Sequence, residues 1–169
     1  MTARALILTA GAAALALSTI VASPAKRYVW NLSASVPIGL YRLRPVGKLA
    51  VSDIVAVEPP EALARFLADG RYLPRGLLLL KQVAALPGET VCRTSLAITI
   101  DDGWAAQARQ RDGRGQLLPD WQGCRVVADG EVFLMNAQSA DSLDGRYFGV
   151  LPVSAIIGQV QPIWTSGEE

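Results

Sequence analysis

At 169 residues and 18.0 kDa, the chain has room for one sizeable core and hardly for two. A composition 51% hydrophobic and 18% charged excludes intrinsic disorder, and a net charge of +1 leaves no basic face to drive nucleic-acid binding. Histidine is absent and only two cysteines occur, which removes Ser-His-Asp and Cys-His catalysis, His-ligated zinc and four-cysteine metal sites; no metal or organic cofactor is implied.

The first element is an uncharged apolar run over residues 5–23 (ALILTAGAAALALSTIVAS). It is close to the lower limit of about 20 residues for a bilayer span. The preferred reading is a single transmembrane anchor. The competing reading is a cleaved secretory signal with Arg4 as its basic start, but Ser23-Pro24-Ala25 makes a poor small-x-small cleavage site. A buried core helix fits least, because the run has no polar face at helical spacing. Arg4 on one side and Lys26 and Arg27 on the other leave the charge rule for orientation near a tie. Both leading readings export the remainder, so residues 1–30 form an anchor and linker and residues 31–169 an exported domain.

Beyond the linker, short runs rich in Val, Ile and Leu recur at 39–43, 53–57, 77–86, 97–100, 125–127, 132–135 and 156–162, separated by Gly, Pro and Asp. Those at 39–43 and 53–57 alternate with period two, as half-buried strands do. Only residues 60–70 (PEALARFLADG) read as a helix, closed by Gly70. Residues 103–123 are polar and Gly-rich, a flexible surface insert or long hairpin. The fold class is therefore mostly β. Cys92 and Cys124 each sit at the edge of a strand-like run, and an isolated pair in an exported domain reads as a disulfide; two unrelated buried thiols are the alternative.

Three segments carry chemistry. In Ser33-Ala34-Ser35-Val36-Pro37-Ile38-Gly39-Leu40-Tyr41, two serines at i and i+2 face one side of an extended backbone. In Leu77-Leu78-Leu79-Leu80-Lys81-Gln82-Val83, one of only three lysines stands inside an apolar strand. Burial lowers a lysine pKa, and a neutral amine is a general base; the alternative is a side chain that snorkels out from a strand edge. The third segment, from Asn136 to Gly149, is a polar loop in which Asp144 and Arg146 can pair; Asp141 and Asp144 make poor candidates for paired catalytic carboxylates, because nothing else marks such a site. Without histidine, a serine can still be activated by a desolvated lysine. Ser35 then acts as nucleophile and Lys81 as base. The Ser35 N–H and the Ser33 hydroxyl hold the oxyanion, and Ser142 orients the amine.

The same three segments resemble, in order, the boxes of the type I signal peptidases. Ser35-Val36-Pro37 is similar to the nucleophile box. Lys81-Gln82-Val83-Ala84-Ala85-Leu86-Pro87-Gly88-Glu89 is similar to Lys-Arg-Val-x-Ala-Leu-Pro-Gly-Asp, and Ser142-Leu143-Asp144-Gly145-Arg146-Tyr147-Phe148-Gly149 to Ser-x-Asp-Ser-Arg-x-x-Gly. The form Ser-x-Pro-x-Gly-Leu-Tyr-Arg is most like the conjugative-transfer, TraF-like branch. The chain departs from the pattern at Asn136-Ala137-Gln138, where Gly-Asp-Asn is usual, and at Gly145, where Ser is usual. The resemblance implies a mostly-β, barrel-like fold on one N-terminal helix in the inner membrane, single pass, with the catalytic domain in the periplasm. It implies a Ser35–Lys81 peptidase, with Ser33 in the oxyanion hole, Ser142 orienting the lysine, and Asp144 and Arg146 as supports. It implies a conjugative pilin precursor as substrate, trimmed and in some cases cyclised, and the conjugative secretion machinery as partner. An extended substrate is expected to add as a strand, with small side chains in a shallow apolar pocket. A general leader-cutting signal peptidase and a non-catalytic tethered β scaffold are the alternatives.

Overall fold

The computed structural model describes residues 27–166. The expected membrane helix over residues 5–23 lies outside them; among the described residues no helix is long and apolar enough to cross a membrane.

The first strands are β1 (Tyr28–Asn31), β2 (Gly39–Arg44) and β3 (Ile54–Val57). Helix α1 (Glu61–Asp69) follows, then β4 (Leu79–Ala85), β5 (Thr90–Thr94), β6 (Ala97–Ile100), β7 (Gly103–Gln107), β8 (Gly123–Val126) and β9 (Glu131–Leu134). The short helix α2 (Gly145–Phe148) precedes β10 (Leu151–Pro152), a 3-10 turn (Val153–Ala155) and β11 (Ile156–Thr165). The large sheet runs β1-β2-β11-β3-β4-β9-β10 and the small one β7-β6-β5-β8. Every strand pair is antiparallel.

The apolar runs become central strands because both their faces are covered. Val55, Ala56 and Val57 on β3 are all fully buried. Val55 and Val57 join Val83, Val132, Leu134 and Ile156 in one cluster, while Ala56 joins Val36, Tyr41, Leu80 and Val160 in another. Continuous rather than alternating hydrophobicity is what such a strand requires. A third cluster, of Ala85, Val91, Ile98, Val127, Phe133 and Met135, joins the two sheets.

Strand β11 spans two partners, β3 at its start and β2 at its end, with register shifts at Ile156/Gly158 and Pro162/Trp164. The second shift places Pro162, which has no N–H to give, at an irregularity where a ladder bond is not needed. Trp164 crosses so close to β2 that a Cβ on Gly39 would stand 2.1 Å from its carbonyl oxygen.

In the small sheet, Asp101 and Asp102 both take positive φ, 46° and 64°, between the paired Ile100 and Gly103. That is the two-residue hairpin turn matched to strand twist. The polar segment 103–123 supplies β7, buries Ala106 and Ala108, and folds back through an Arg111–Leu117 bridge. Cys92 and Cys124 stand directly opposite each other on β5 and β8 and form a disulfide.

Candidate active site

Lys81 lies in the middle of β4, opposite the fully buried Val55, and is itself 5% exposed. An ammonium there has lost most of its water. Burial pushes its pKa down from 10.5 to about 8; the nearby Asp144 carboxylate opposes that and the Arg146 guanidinium adds to it. The Lys81 Nζ donates to Ser142 Oγ at 2.7 Å.

The backbone around Lys81 is held from the β9 side. The ladder ends with the Met135 N–H bonded to the Gln82 carbonyl at 2.9 Å. The Asn136 side chain then continues it, accepting from the Gln82 N–H at 2.9 Å and donating to the Leu80 carbonyl at 3.2 Å. One buried amide thus fixes the peptides on both sides of the lysine. Asn136 opens the stretch that departs from the signal-peptidase pattern, and its part in the site could not be read from its neighbours in sequence.

Ser142 is fixed by the loop it belongs to. Arg146 Nη2 donates to the Ser142 carbonyl at 3.0 Å and the Ser139 carbonyl at 2.7 Å. Asp144 and Arg146 form a side-chain ion pair through two contacts of 2.9 Å, with side chains 0% and 1% exposed. Asp144 also caps α2 by accepting from the Arg146 N–H, and takes the Asn136 N–H at 3.1 Å. The departure at Gly145 has a steric cause: a Cβ there would lie 2.6 Å from the Phe133 ring and 2.8 Å from the Leu134 carbonyl. Asp141, by contrast, is exposed and paired with Arg109, so it and Asp144 do not form a carboxylate pair.

Ser33 and Ser35 sit in the turn between β1 and β2, their hydroxyls 3.1 Å apart. Asn31 builds that turn. Its side-chain amide donates to the carbonyls of Ser33, Val36 and Pro37, and its carbonyl accepts from the Ser33 N–H at 3.1 Å and the Ser33 hydroxyl at 3.0 Å. Tyr41 Oη donates to the Pro37 carbonyl at 2.6 Å, tying the turn to β2. With its proton given to Asn31, the Ser33 oxygen is free to accept from Ser35.

Ser35, Ser33, Lys81 and Ser142 all line one cavity of about 1030 Å³. The strand and turn that carry them are joined through Val36, which packs in one cluster with Leu80. The cavity lining also draws on the loop after α1 and the 103–123 segment, which contribute Leu73, Tyr72, Arg114 and Leu118. A neutral amine in such a place can accept a proton from a hydroxyl within reach.

Besides Asn136, two supports were not legible as such in the sequence. Asn31 is one. Arg93 is the other: 2% exposed on β5, it donates to the Arg146 carbonyl at 2.6 Å and pairs with Asp120 at 3.1 Å. The Arg93 and Arg146 guanidiniums lie 6.0 and 5.9 Å from the Tyr147 ring centre.

The family described as signal peptidase, peptidase S26, matches residues 1–165. The chain belongs to the signal peptidase family. The conjugal transfer protein TraF of Agrobacterium tumefaciens is 36% identical over 173 residues, covering 96% of each chain. A plasmid transfer protein TraF of Escherichia coli is 31% identical over 171 residues, covering 94% of this chain and 89% of that one. A probable signal peptidase I-1 of Synechocystis is 36% identical over 109 residues, 64% of this chain and 50% of that one. Among solved structures, a signal peptidase I of Enterococcus faecalis matches with a TM-score of 0.42 at 18% identity, over 69% of this chain and 99% of that one.

Proposed function

We propose that the chain is a membrane-anchored serine endopeptidase that uses Ser35 and Lys81 to process, and in some settings cyclise, a conjugative pilin precursor. The observation that carries the reading is the buried Lys81 amine, its pKa pushed down to about 8, in the same cavity as Ser35. At pH 7 about one such amine in ten is neutral and ready to accept a proton.

The step is acyl transfer. Ser35 Oγ attacks a peptide carbonyl while its proton passes to Lys81 Nζ. The oxyanion takes hydrogen bonds from the Ser35 N–H and from the Ser33 hydroxyl, which turns from Asn31 to do so. The C–N bond then breaks, Lys81 returns the proton to the leaving amine, and Ser35 holds the acyl group as an ester. Water resolves the ester by hydrolysis; the substrate's own amino terminus resolves it by cyclisation. Ser142 keeps the amine on its line of transfer.

The conjugation setting rests on the TraF relatives, which align over nearly the whole chain. The apolar run over residues 5–23 supports a single-pass anchor in the inner membrane with the catalytic domain in the periplasm, where the disulfide is stable and the secretion machinery is in reach. The second reading, a general leader peptidase, rests on the partial match to the Synechocystis protein.

The test is the intact mass of the pilin subunit from cells carrying wild-type protein or Ser35→Ala. Removing a catalytic serine costs on the order of 10⁶ in rate in a well-studied serine protease, so processing stops rather than slows. A trimmed pilin in wild type and a full precursor in the variant support the reading. A wild-type product one water lighter than its linear form adds cyclisation. Trimmed pilin in both strains overturns it for that substrate, and brings forward leader cleavage or a scaffold role.

A further inference from the structure

Asn136 stands just past the end of β9 and is 1% exposed. Strand β4 pairs with β9 at Ala85 and Val83, and the Met135 N–H carries the contact on to the Gln82 carbonyl. Past that point the Asn136 side chain takes the place of a strand. Its Oδ1 accepts from the Gln82 N–H at 2.9 Å and its Nδ2 donates to the Leu80 carbonyl at 3.2 Å, so the amide brackets Lys81. Ala137 and Gln138, which follow, are exposed, and the polar anchor of this corner is Asn136.

The same residue reaches the other partner of the base. Its backbone N–H donates to Asp144 Oδ2 at 3.1 Å, and its carbonyl accepts from the Ser139 N–H at 3.0 Å. Asp144 Oδ2 also takes Arg146 Nη2 at 2.9 Å, and that nitrogen holds the carbonyls of Ser142 and Ser139. From the peptides around Lys81 to Ser142 the path is therefore one amide, one carboxylate and one guanidinium, each of them buried. On its other edge β4 pairs with β3, where Val55 stands opposite Lys81, but β3 does not carry Ser142. The bond at stake is the 2.7 Å contact from Lys81 Nζ to Ser142 Oγ, and a relative slip of about 1 Å would carry it past hydrogen-bond length. The plain alternative is an amide that satisfies two buried peptide groups and does nothing for the base.

We infer that Asn136 is a positioning residue for the base: its side chain sets the peptides that flank Lys81, its backbone sets the loop that carries Ser142, and together they hold the Lys81–Ser142 bond at length. The inference rests on the peptidase reading, in which that bond keeps the amine in line with Ser35. The departure from Gly-Asp-Asn at 136–138 is then no loss to the site. A glycine at 136 could give the loop its backbone bonds but would offer nothing to Gln82 or Leu80. The asparagine side chain supplies that anchor.

The test is the rate at which 4-nitrophenyl acetate acylates Ser35 in the full-length protein, followed by intact mass from pH 6 to 10 at about 10 °C. Asn136→Ala removes both side-chain bonds. Asn136→Gly removes them too and leaves room for water to bond the freed peptide groups. Either should lower the melting temperature by about 10 °C, which leaves both folded in the cold assay. The plateau rate at high pH should fall about tenfold in both, as in Ser142→Ala, since the same bond is lost. The midpoint should not rise above about 8, because Lys81 stays buried and faces the same Asp144 and Arg146. Combining Asn136→Gly with Ser142→Ala should cost no more than about threefold beyond Ser142→Ala alone, where independent effects would multiply to about a hundredfold. A plateau equal to wild type overturns the inference. So does a midpoint that climbs toward 10.5, the sign of a site merely loosened to water, and so does full multiplication in the double variant. A wild-type protein that forms no adduct on Ser35 strikes instead at the peptidase reading, and the inference falls with it.

Discussion

Replacing Lys81 by Met should stabilise the protein while abolishing its activity. Met keeps the length of the side chain and removes the amine from its apolar site between β3 and β9. The fall from 10.5 to about 8 means that the folded state disfavours the charged amine by about 3 kcal/mol relative to the unfolded chain. The substitution removes that penalty. It also leaves the buried Ser142 hydroxyl without the amine 2.7 Å away, at a cost of about 1 kcal/mol. The net gain is about 2 kcal/mol at pH 7, or roughly 5 °C in melting temperature for a chain of this size. The gain depends on pH in a definite direction. Between about 8 and 10.5 the unfolded chain holds a proton that the folded chain has released, so wild-type stability rises with pH across that window and its penalty fades. Thermal unfolding of wild-type and Lys81→Met protein at pH 7 and pH 9.5, followed by circular dichroism, reads both quantities. A variant less stable than wild type at pH 7, or a gap that does not narrow by pH 9.5, would refute the reasoning.

Ser142→Ala should lower kcat by about 10-fold or more, the worth of a hydrogen bond to a charged group, with little change in KM on a peptide substrate. Asp144→Asn leaves the Arg146 guanidinium buried and unpaired, and should cost about 3–5 kcal/mol in chemical denaturation. Reducing the Cys92–Cys124 bridge, or replacing both cysteines by serine, opens a loop with a sequence separation of 32 and should cost about 3–4 kcal/mol; reductant should lower the wild-type melting temperature but not that of the double variant.

The strand at 53–57 was legible as a run rich in Val and Ile, but the period-two alternation of a half-buried strand does not hold there, because Val55, Ala56 and Val57 are all fully buried and both faces are covered; α1 was legible as a short helix closed by Gly70. Strand β1 was harder. Residues 28–30 were grouped with the linker, yet Tyr28, Val29 and Trp30 pair with Arg42, Tyr41 and Leu40, since aromatic and β-branched residues suit an edge strand. Within the polar segment 103–123, periodicity is weak because Gly103, Trp104 and Gln107 of β7 face outward and only Ala106 is buried. At the site, Ser35, Lys81, Ser142, Asp144 and Arg146 stood out because each is a polar group in a telling setting: a Pro-Gly turn, an apolar strand, a short acidic loop. Asn31 and Asn136 did not, because an amide that serves backbone groups is marked only by where the chain folds. The size of the cavity was equally hidden, since its walls come from four separated segments.

The most direct test of the Ser35–Lys81 assignment is the rate at which a serine-reactive acylating agent adds to the intact protein, followed by mass spectrometry from pH 6 to 10. The account predicts a single adduct on Ser35, forming faster as pH rises through about 8, the pKa to which burial pushes Lys81. It predicts no adduct in Ser35→Ala and a slow, pH-insensitive rate in Lys81→Met. An adduct on another residue, or a Lys81→Met protein that labels as fast as wild type, would contradict it.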